Sequence, residues 1–352
     1  MQRNAATLAG NFASLKMKQV LVTGSSGFIG KALCERLLQL GVKAVGVDIS
    51  PPEGEFGNLL NLREFQFYQG DISDPLVLEK VLPGTAVVFN LAGKCGHLAS
   101  MEDPLADMHS NGVAQLAFLE GCRRWSPHSH VIYASTRQVY GRVGEIPVDE
   151  LRQPDPVDVN GIHKLAAERL HLLYSQQYKL CSTVIRMTNT YGPAMNLDRT
   201  GRSFLGEWVC ALLRGEALTI LGSGEQLRDL NFVGDVVDAL LRTAVAGSLA
   251  DRQIFNLGGR KPVTLNDLAR KIFQITGGRV RWRHQPFCAR LESIDIGNYW
   301  GDYGKIKESL GWEPVTGLEE GLRRMLKFFG ILERVETPLP PVGSQEWTSF
   351  CS

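Results

Sequence analysis

The amino-acid sequence predicts an α/β protein built on a doubly wound parallel sheet. Short β-branched and apolar segments alternate with helical patterns from about residue 19 to residue 134, which is typical of a parallel sheet covered by helices. Glycine-containing and polar motifs follow these segments, at the strand ends where ligands bind in such sheets. The length of 352 residues suits one large unit of this kind with a smaller second lobe.

The first predicted strand, residues 19–23, leads into a glycine-rich turn and then into a helix that reaches Leu40. The turn has the spacing GxxGxxG, formed by Gly24, Gly27 and Gly30. Glycines here permit a tight turn, and they let backbone N–H groups approach a pyrophosphate at the helix N-terminus. The turn therefore predicts a dinucleotide site.

The second predicted strand, residues 44–47, ends in Asp48, and 48 − 30 places this acid 18 residues beyond the last glycine. An acid about 20 residues past the motif is expected to bond a ribose 2′-hydroxyl. Because a carboxylate repels a 2′-phosphate and no arginine follows it at once, NAD is favoured over NADP. A plain loop aspartate after a strand is the alternative.

Three further strands are predicted at residues 64–69, 86–90 and 130–134, and a helix is predicted over residues 104–124. Each strand runs into a short motif that contains glycine or a hydroxyl side chain. These motifs are GDI at 70–72, LAG at 91–93 and ST at 135–136. Since parallel strands end at one edge of the sheet, the motifs are expected on that edge.

Composition and charge describe an ordinary globular protein, with 44% hydrophobic and 21% charged residues. The formal net charge of +1 gives no electrostatic reason to expect nucleic acid, and no apolar run approaches the ~20 residues that span a bilayer. Seven scattered cysteines without a CxxC pair indicate reduced thiols in the cytoplasm and no metal site. Residues 1–16 are interpreted as an N-terminal extension, and residues 334–352 as a loose C-terminal tail.

Several motifs in order resemble the extended short-chain dehydrogenase/reductase family, which includes nucleotide-sugar epimerases, dehydratases and decarboxylases. They are GSSGFIG at 24–30, GDI at 70–72, NLAG at 90–93, STRQVYG at 135–141, NTYGP at 189–193, GSGEQLRDLNFVGDVVDA at 222–239, FNLGG at 255–259 and LGWEP at 310–314. The resemblance implies a Rossmann domain over 17–187 and a smaller nucleotide-sugar-binding lobe over 188–333, with strands that can pass between them. It also implies a homodimer, because the helix over 104–124 and the one around Lys164 form a dimeric bundle in many members.

The resemblance also assigns binding residues for NAD, most of which lie at the strand ends. They are Gly24, Gly27, Phe28, Ile29 and Gly30 for the pyrophosphate, Asp48 for the adenosine ribose, Asp71 and Ile72 beside the adenine, Ala92 and Gly93 along the cofactor, and Lys164 for the nicotinamide ribose.

For the substrate, Asn189 and Arg228 match residues that bind the diphosphate of a nucleotide sugar, and the fork of an arginine pairs well with phosphate oxygens. An ion pair between Arg228 and Asp229 is the structural alternative. Family members often carry another arginine just before the segment equivalent to residues 294–302. Arg290 is the candidate, with its neighbour at position 291 as the other possible register.

The chain departs from the family at the catalytic tyrosine. Members carry Tyr-x-x-x-Lys, in which a tyrosinate removes the sugar hydroxyl proton, whereas here Asn160 precedes Lys164 by four residues. His163 also stands where the family usually has a small residue. An amide neither ionises nor accepts a proton at neutral pH, and loss of a positioned base costs about 10²–10⁴-fold in rate. Another group must take the role, or the chemistry differs.

Few residues can replace the missing phenol. The first candidate is Lys164, acting with Thr136, which matches the family's hydroxyl on the C4 oxygen of the sugar. Cys95 or His97, which follow the fourth strand, come next. A buried thiol and a hydrogen-bonded loop histidine are the respective structural alternatives.

Three functions remain open from the sequence, and an NAD-dependent nucleotide-sugar epimerase with a relocated base is favoured. A related decarboxylase, dehydratase or oxidase is the second, although Arg137 and Gln138 stand where dehydratases and decarboxylases carry acids. The third is a catalytically silent nucleotide-sugar binder. Retention of Lys164 and Asp48 argues against a silent binder, because a protein that only binds the nucleotide sugar does not need the residues that hold the nicotinamide end of NAD.

Overall fold

A computed structural model describes residues 12–16, 18–52, 54–197 and 203–333 of the chain. The strands in these residues are, in chain order, β1 (Gln19–Thr23), β2 (Ala44–Asp48), β3 (Phe65–Gln69), β4 (Thr85–Asn90), β5 (His130–Thr136), β6 (Ser182–Met187), β7 (Asn189–Tyr191), β8 (Leu218–Leu221), β9 (Leu227–Arg228), β10 (Leu230–Phe232), β11 (Ile254–Asn256), β12 (Val263–Thr264) and β13 (Trp282–Gln285). The α-helices are α1 (Phe28–Gln39), α2 (Pro75–Val81), α3 (His97–Glu102), α4 (Pro104–Met108), α5 (Ala114–Trp125), α6 (Val159–Tyr178), α7 (Phe204–Arg214), α8 (Val233–Ala246), α9 (Leu265–Ile275), α10 (Ala289–Ile294), α11 (Gly304–Leu310) and α12 (Leu318–Phe328).

Seven strands form one parallel sheet in the order β11-β6-β5-β4-β1-β2-β3. The chain starts in the middle at β1, winds outward to β3, and then returns to build the other half from β4. The boundary between β1 and β4 is therefore a topological switch point, which leaves a crevice at the strands' carboxyl ends. The predicted doubly wound α/β fold is confirmed.

Helices cover both faces of this sheet. Helices α1 and α8 pack against β1 and β6 in one core, which includes Leu33 and Leu240. Helices α2 and α5 pack against the opposite face, around Phe118. Because both faces are covered, the central strands read as continuous apolar runs without the alternation of a half-exposed sheet.

The C-terminal half forms a second core between helices α7, α9 and α12, which centres on residues such as Trp208, Leu268 and Leu322. Three two-stranded sheets, β7 with β10, β8 with β13 and β9 with β12, lie in this region. The same half also returns β11 to the large sheet, where it pairs with β6. The division at residues 187 and 188 remains a prediction.

The predicted N-terminal extension is described only from residue 12 onward. Phe12–Leu15 form a short 3-10 turn, and Leu15 is fully buried in the core beside α8, so the end of this segment takes part in the packing. The predicted tail, residues 334–352, lies outside the described residues. No helix in the described part of the chain has the length and apolar character needed to cross a membrane.

The helix predicted over residues 104–124 is not uniformly α-helical, and the prediction is corrected on this point. Helices α4 and α5 are joined by a π-helical turn, His109–Val113. The wider turn carries Asn111, whose Nδ2 donates to the carbonyl of Lys94 at 3.0 Å. Such turns often occur at functional sites, and this one braces the loop that follows β4.

Helix α6 is fixed to the sheet by a buried ion pair. The Arg186 guanidinium on β6 donates to both oxygens of Glu168, with Nη2 to Oε2 at 2.7 Å, and Ser135 on β5 donates to the same carboxylate. Loss of one partner of a buried pair typically costs about 3–5 kcal/mol of stability. The pair therefore sets the position of α6, which carries Asn160 and Lys164.

We expect acidification to destabilise the fold through two buried histidines. Burial lowers the pKa of His130 to about 4 and that of His171 to about 3, whereas an unfolded histidine titrates near 6.5. Between pH 6.5 and 4 the unfolded chain binds more protons, so each histidine lowers the free energy of unfolding by up to about 1.4 kcal/mol per pH unit as the pH falls.

Denaturant unfolding at pH 7.5, 6 and 5 measures this effect. Because burial raises the pKa of Asp229 to about 7 and so acts in the opposite sense, the histidine contribution is read from a variant. His171→Phe, which keeps the ring stacked on Tyr133, should flatten the slope, whereas exposed His128→Gln should not. An unchanged slope in His171→Phe would contradict the assignment.

Candidate active site

A cavity of about 610 Å³ lies at the carboxyl ends of β1, β2, β3 and β4. Its walls come from the loops that follow these four strands and from the start of α1. Among the predicted cofactor residues, the lining includes Gly24, Gly27, Phe28, Asp48, Asp71, Ile72, Ala92 and Gly93. The structure thus brings together residues that the sequence spread over 70 positions, from 24 to 93.

The glycines of the first turn are required for different reasons. Gly24 has φ +67°, and a Cβ on it would lie 2.9 Å from the backbone of Leu91, so only glycine fits there. A Cβ on Gly30 would lie 2.1 Å from the carbonyl oxygen of Gly24. Neither Ile29 nor Gly30 is part of the cavity lining, so their predicted contact with the pyrophosphate is indirect: Gly30 lets the helix approach the turn.

The start of α1 suits a pyrophosphate. Its N-cap is Gly27, which supplies no side-chain cap, so the first N–H groups of the helix face the cavity without an internal acceptor from that residue. Such N–H groups, with the positive end of the helix dipole, favour an anion.

Asp48 is held in place at the adenosine end of the cavity. Its Oδ2 accepts from the Ser26 backbone N–H and its Oδ1 from that of Ser50, both at 3.0 Å. Each oxygen retains a lone pair for a ribose hydroxyl. Asp71 is similarly ordered by Ser73, whose N–H and hydroxyl both donate to Oδ1. These side chains fit the adenosine half of NAD.

Lys164, which the sequence resemblance assigns to the nicotinamide ribose, is buried beside the loop after β4. Its Nζ donates to the carbonyl of Ala134 at 3.1 Å, and it lies 5.0 Å above the ring of buried Tyr133. A Cβ on Gly93 would come within 3.2 Å of this Nζ, so the ammonium lies directly beside the cofactor loop. Burial lowers the pKa of Lys164, and nearby acids only partly oppose that effect.

Asn160 is buried and serves as a brace. Its Nδ2 donates to the Lys94 carbonyl and to Asp107 Oδ2, both at 3.0 Å. The second oxygen of Asp107 contacts Nδ1 of His163 at 2.7 Å. The two departures from the family in this helix, Asn160 and His163, therefore share one buried carboxylate as their partner.

His97 forms a pair with a carboxylate that the sequence analysis did not identify. Asp158, the N-cap of α6, contacts Nδ1 of His97 through Oδ2 at 2.9 Å and accepts the Gly161 N–H through Oδ1. The Gln138 amide contacts both partners. Burial opposes ionisation of Asp158, yet the hydrogen bonds from His97, Gly161 and Gln138 lower its pKa below the ordinary value.

Thr136 is the last residue of β5, and Cys95 lies in the loop that follows β4. Thr136 Oγ1 accepts the backbone N–H of Gln138 at 3.2 Å, so the hydroxyl is oriented at the end of β5. Cys95 is exposed, and within the described residues its thiol has no hydrogen-bond partner. Of the predicted catalytic residues, His97 has the most developed set of partners for proton transfer.

The predicted substrate residues fall into two groups. Asn189 and Arg228 lie close to Arg137, which donates from Nη2 to Asn189 Oδ1 at 3.2 Å. Arg228 does not pair with Asp229, the alternative from sequence; it pairs with Asp295 at 3.1 Å. By contrast, the half-exposed Arg290 forms an ion pair with Glu102 at the surface, so its substrate role remains a prediction without a supporting contact.

Two residues of this site, Asp158 and Arg137, were not predicted from the sequence to have a functional role. An aspartate just before a helix is a recognisable N-cap signal, but nothing local connects it with a histidine 61 positions earlier. Arg137 was noted only because it lacks the carboxylate of a dehydratase. Its burial at 9% exposure was not visible from the sequence.

Comparison with known proteins agrees with this geometry. The profile of the NAD dependent epimerase/dehydratase family matches residues 20–258. UDP-glucuronate 4-epimerase from Thermodesulfobacterium geofontis is 29% identical over 324 residues, which cover 89% of this chain and 96% of that protein. The structure of UDP-glucose 4-epimerase from Thermotoga maritima with UDP-glucose superposes with a TM-score of 0.78 at 31% sequence identity. The match covers 88% of this chain and 98% of the Thermotoga maritima chain. MoeE5 in complex with UDP-glucuronic acid and NAD has a TM-score of 0.77 with the same identity and coverage.

The fold and the cavity together define a Rossmann enzyme with a dinucleotide site at the switch point of its sheet. The chain belongs to the NAD-dependent epimerase/dehydratase family, as the sequence resemblance predicted, and its cofactor is NAD.

We expect Asp48→Asn to weaken NAD binding by about 10–100-fold, because hydrogen bonds to a charged acceptor contribute about 1.5–3 kcal/mol. The preference for NAD over NADP should shrink as well, since the repelling charge is removed. Calorimetric titration of both cofactors measures the change. Asp74→Asn, which keeps the cap of α2 outside the cavity, is the matched control, and equal losses in the two variants would contradict the assignment.

Proposed function

We propose that this enzyme epimerises a nucleotide-diphosphate sugar at C4 through a transient keto sugar, with His97 as its acid/base. The observation that carries the proposal is the His97–Asp158 pair. It lies beside the motif that contains Thr136, and it follows directly from the loop that lines the NAD cavity.

The carboxylate partner prepares His97 for proton transfer. We assign the proton to Nδ1, which then donates to Asp158 and leaves the lone pair on Nε2; in this assignment the nearby Gln138 amide N–H donates to Asp158 and not to the ring. Within the described residues Nε2 has no hydrogen-bond partner, and the side chain is 41% exposed, so a sugar hydroxyl can reach it. The same carboxylate stabilises the imidazolium once the proton has moved, as in Ser-His-Asp sites.

The residues then divide the reaction between them. Bound NAD would supply the hydride acceptor and donor for C4 of the sugar. His97 removes the proton of the C4 hydroxyl and gives it back on return, while Thr136 orients that hydroxyl. Lys164 holds the nicotinamide ribose from beside Gly93. Protons and hydride are both restored, so the net change is the configuration at C4.

Lys164 and Cys95, the other candidates from the sequence, suit this role less well. Lys164 is 5% exposed, and its ammonium donates to the Ala134 carbonyl, an arrangement that fits cofactor binding. Cys95 is exposed and lies near the Lys164 ammonium, but within the described residues its thiol has no hydrogen-bond partner that would orient it. His97 alone combines access with an orienting carboxylate.

Turnover of nucleotide sugars tests the reaction. We expect UDP-glucose or UDP-glucuronic acid to change configuration without a change in mass, and without solvent deuterium at C4, because the hydride returns to the sugar. NMR and mass spectrometry in ordinary and deuterated water measure both. Loss of water or CO₂ would overturn epimerisation.

We expect His97→Gln to lower kcat by about 10²–10⁴-fold, because the variant lacks the proposed acid/base. Asp158→Asn, which keeps the helix cap, should also lower kcat, because the imidazole loses its orienting charge. The exposed His109→Gln is the matched control and should leave kcat unchanged. Full activity in His97→Gln, with a gain in Asn160→Tyr, would contradict the role of His97.

For the assembly we propose a homodimer through helices α4, α5 and α6. These helices expose large apolar side chains, among them Leu105, Leu116, Ile162 and Leu173. An exposed apolar face of this kind marks an interaction surface, and a second copy can bury it symmetrically. We also place the enzyme in the cytoplasm, where the six described cysteines, none of which forms a disulfide, would stay reduced.

We expect Leu116→Glu combined with Leu173→Glu to convert the dimer into a monomer, because the charges would have to be buried in the interface. Size-exclusion chromatography with light scattering gives the mass. Leu249→Glu, on an exposed leucine outside these helices, is the control and should remain dimeric. A wild-type protein that runs as a monomer at micromolar concentration would refute the proposal.

We also propose that the two lobes bind different ligands. Residues 17–187 would carry the cofactor site and residues 188–333 the nucleotide-sugar site. The cavity supports the first assignment, and the position of Asn189 and Arg228 supports the second.

A further inference from the structure

Arg137 is a buried guanidinium without an anionic partner. It directly follows Thr136 at the end of β5, and only 9% of its surface is exposed. Nη2 donates to the neutral Asn189 amide oxygen at 3.2 Å, and buried Nη1 has no hydrogen-bond partner in the described structure. The guanidinium also lies over the face of Tyr299, with its carbon 5.5 Å from the ring centroid.

The neighbouring charged groups do not neutralise it. Arg228 has its own carboxylate, Asp295. Burial raises the pKa of Asp229 to about 7, and its oxygens accept the N–H groups of Gly259 and Gly301. Burial, together with Arg228, lowers the pKa of Arg137 to about 10, which still leaves it charged at neutral pH. Within the described residues, therefore, no carboxylate is paired with the Arg137 guanidinium, although Asp229 and Asp295 lie near enough to influence its pKa.

Burial of an unpaired guanidinium costs free energy of folding unless an anion pairs with it. The unpartnered Nη1 is a donor with a fixed direction, and a guanidinium fork matches the two oxygens of a carboxylate. An anionic group of the substrate would satisfy both the charge and the open hydrogen bond.

We infer that Arg137 recognises the C6 carboxylate of a nucleotide-linked uronic acid, so that the enzyme prefers an acidic sugar over a neutral hexose. The inference rests on the proposed function, in which Thr136 binds the C4 oxygen. C6 is two bonds from C4, and Arg137 adjoins Thr136 in the chain, so the inference places the C6 carboxylate beside the Arg137 guanidinium.

The diphosphate of the nucleotide is the other anion that could meet Arg137. Asn189 and Arg228, which the family resemblance assigns to the diphosphate, are close by. Arg228 already holds a carboxylate and carbonyl groups through both terminal nitrogens, whereas Arg137 has an open donor. A ligand with the diphosphate but no sugar carboxylate separates the two sources.

The test measures binding of UDP, UDP-glucose and UDP-glucuronic acid to the NAD-loaded enzyme by calorimetry. We expect the wild type to bind UDP-glucuronic acid at least about 30-fold more tightly than UDP-glucose, as expected for a desolvated charge pair. Arg137→Gln should reduce that preference to about 3-fold or less and leave UDP binding unchanged. Arg137→Lys should recover only part of it, because lysine lacks the fork.

Arg323→Gln, which removes an exposed ion pair on α12, is the control and should keep the preference. Equal affinity of the wild type for the acidic and the neutral sugar would overturn the inference, whether or not the Arg137 variants fold. An equal loss for all three ligands in Arg137→Gln would assign the residue to the diphosphate and also overturn it. Selective binding of the uronic acid without turnover would support Arg137 while refuting the proposed epimerisation.

Discussion

The active site depends on one buried carboxylate, Asp107, which is 2% exposed. A carboxylate at this depth must be paired and hydrogen-bonded, and His163 and Asn160 each take one of its oxygens. The Asn160 amide also reaches the Lys94 carbonyl, and so joins the first turn of α6 to the loop after β4. That junction sets the distance between the cofactor loop and Lys164.

This arrangement explains why two unusual residues occur in the same helical turn. A carboxamide has two N–H donors and can bridge two acceptors, whereas a phenol has one. Tyrosine at position 160 could satisfy Asp107 or the Lys94 carbonyl, but not both. Asn160 occupies the place of the catalytic phenol, yet its contacts are those of a structural brace.

Signals that lie within one strand–turn–helix unit were readable from the sequence. The alternation of strands and helices predicted the sheet, and the spacing from Gly24 to Asp48 predicted the adenosine end of the cavity, because both patterns are local. Contacts between distant segments left no such pattern. Packing between distant segments is not encoded in the periodicity of the sequence. It determines that His97 pairs with Asp158, that Leu15 is buried and that Nη1 of Arg137 lacks a hydrogen-bond partner in the described structure.

A change of base also changes what the rest of the site must supply. A tyrosine has an ordinary pKa near 10, so lowering it to neutrality requires about 4 kcal/mol of differential stabilisation from nearby positive charge. A histidine side chain titrates near neutral pH without that field and needs only a partner that orients it. Under the proposed function, Lys164 would hold the nicotinamide ribose without also lowering the pKa of a phenol, which is compatible with its burial and its bond to the Ala134 carbonyl. In the proposed reaction the orienting partner is Asp158, which also caps the start of the helix that carries Asn160.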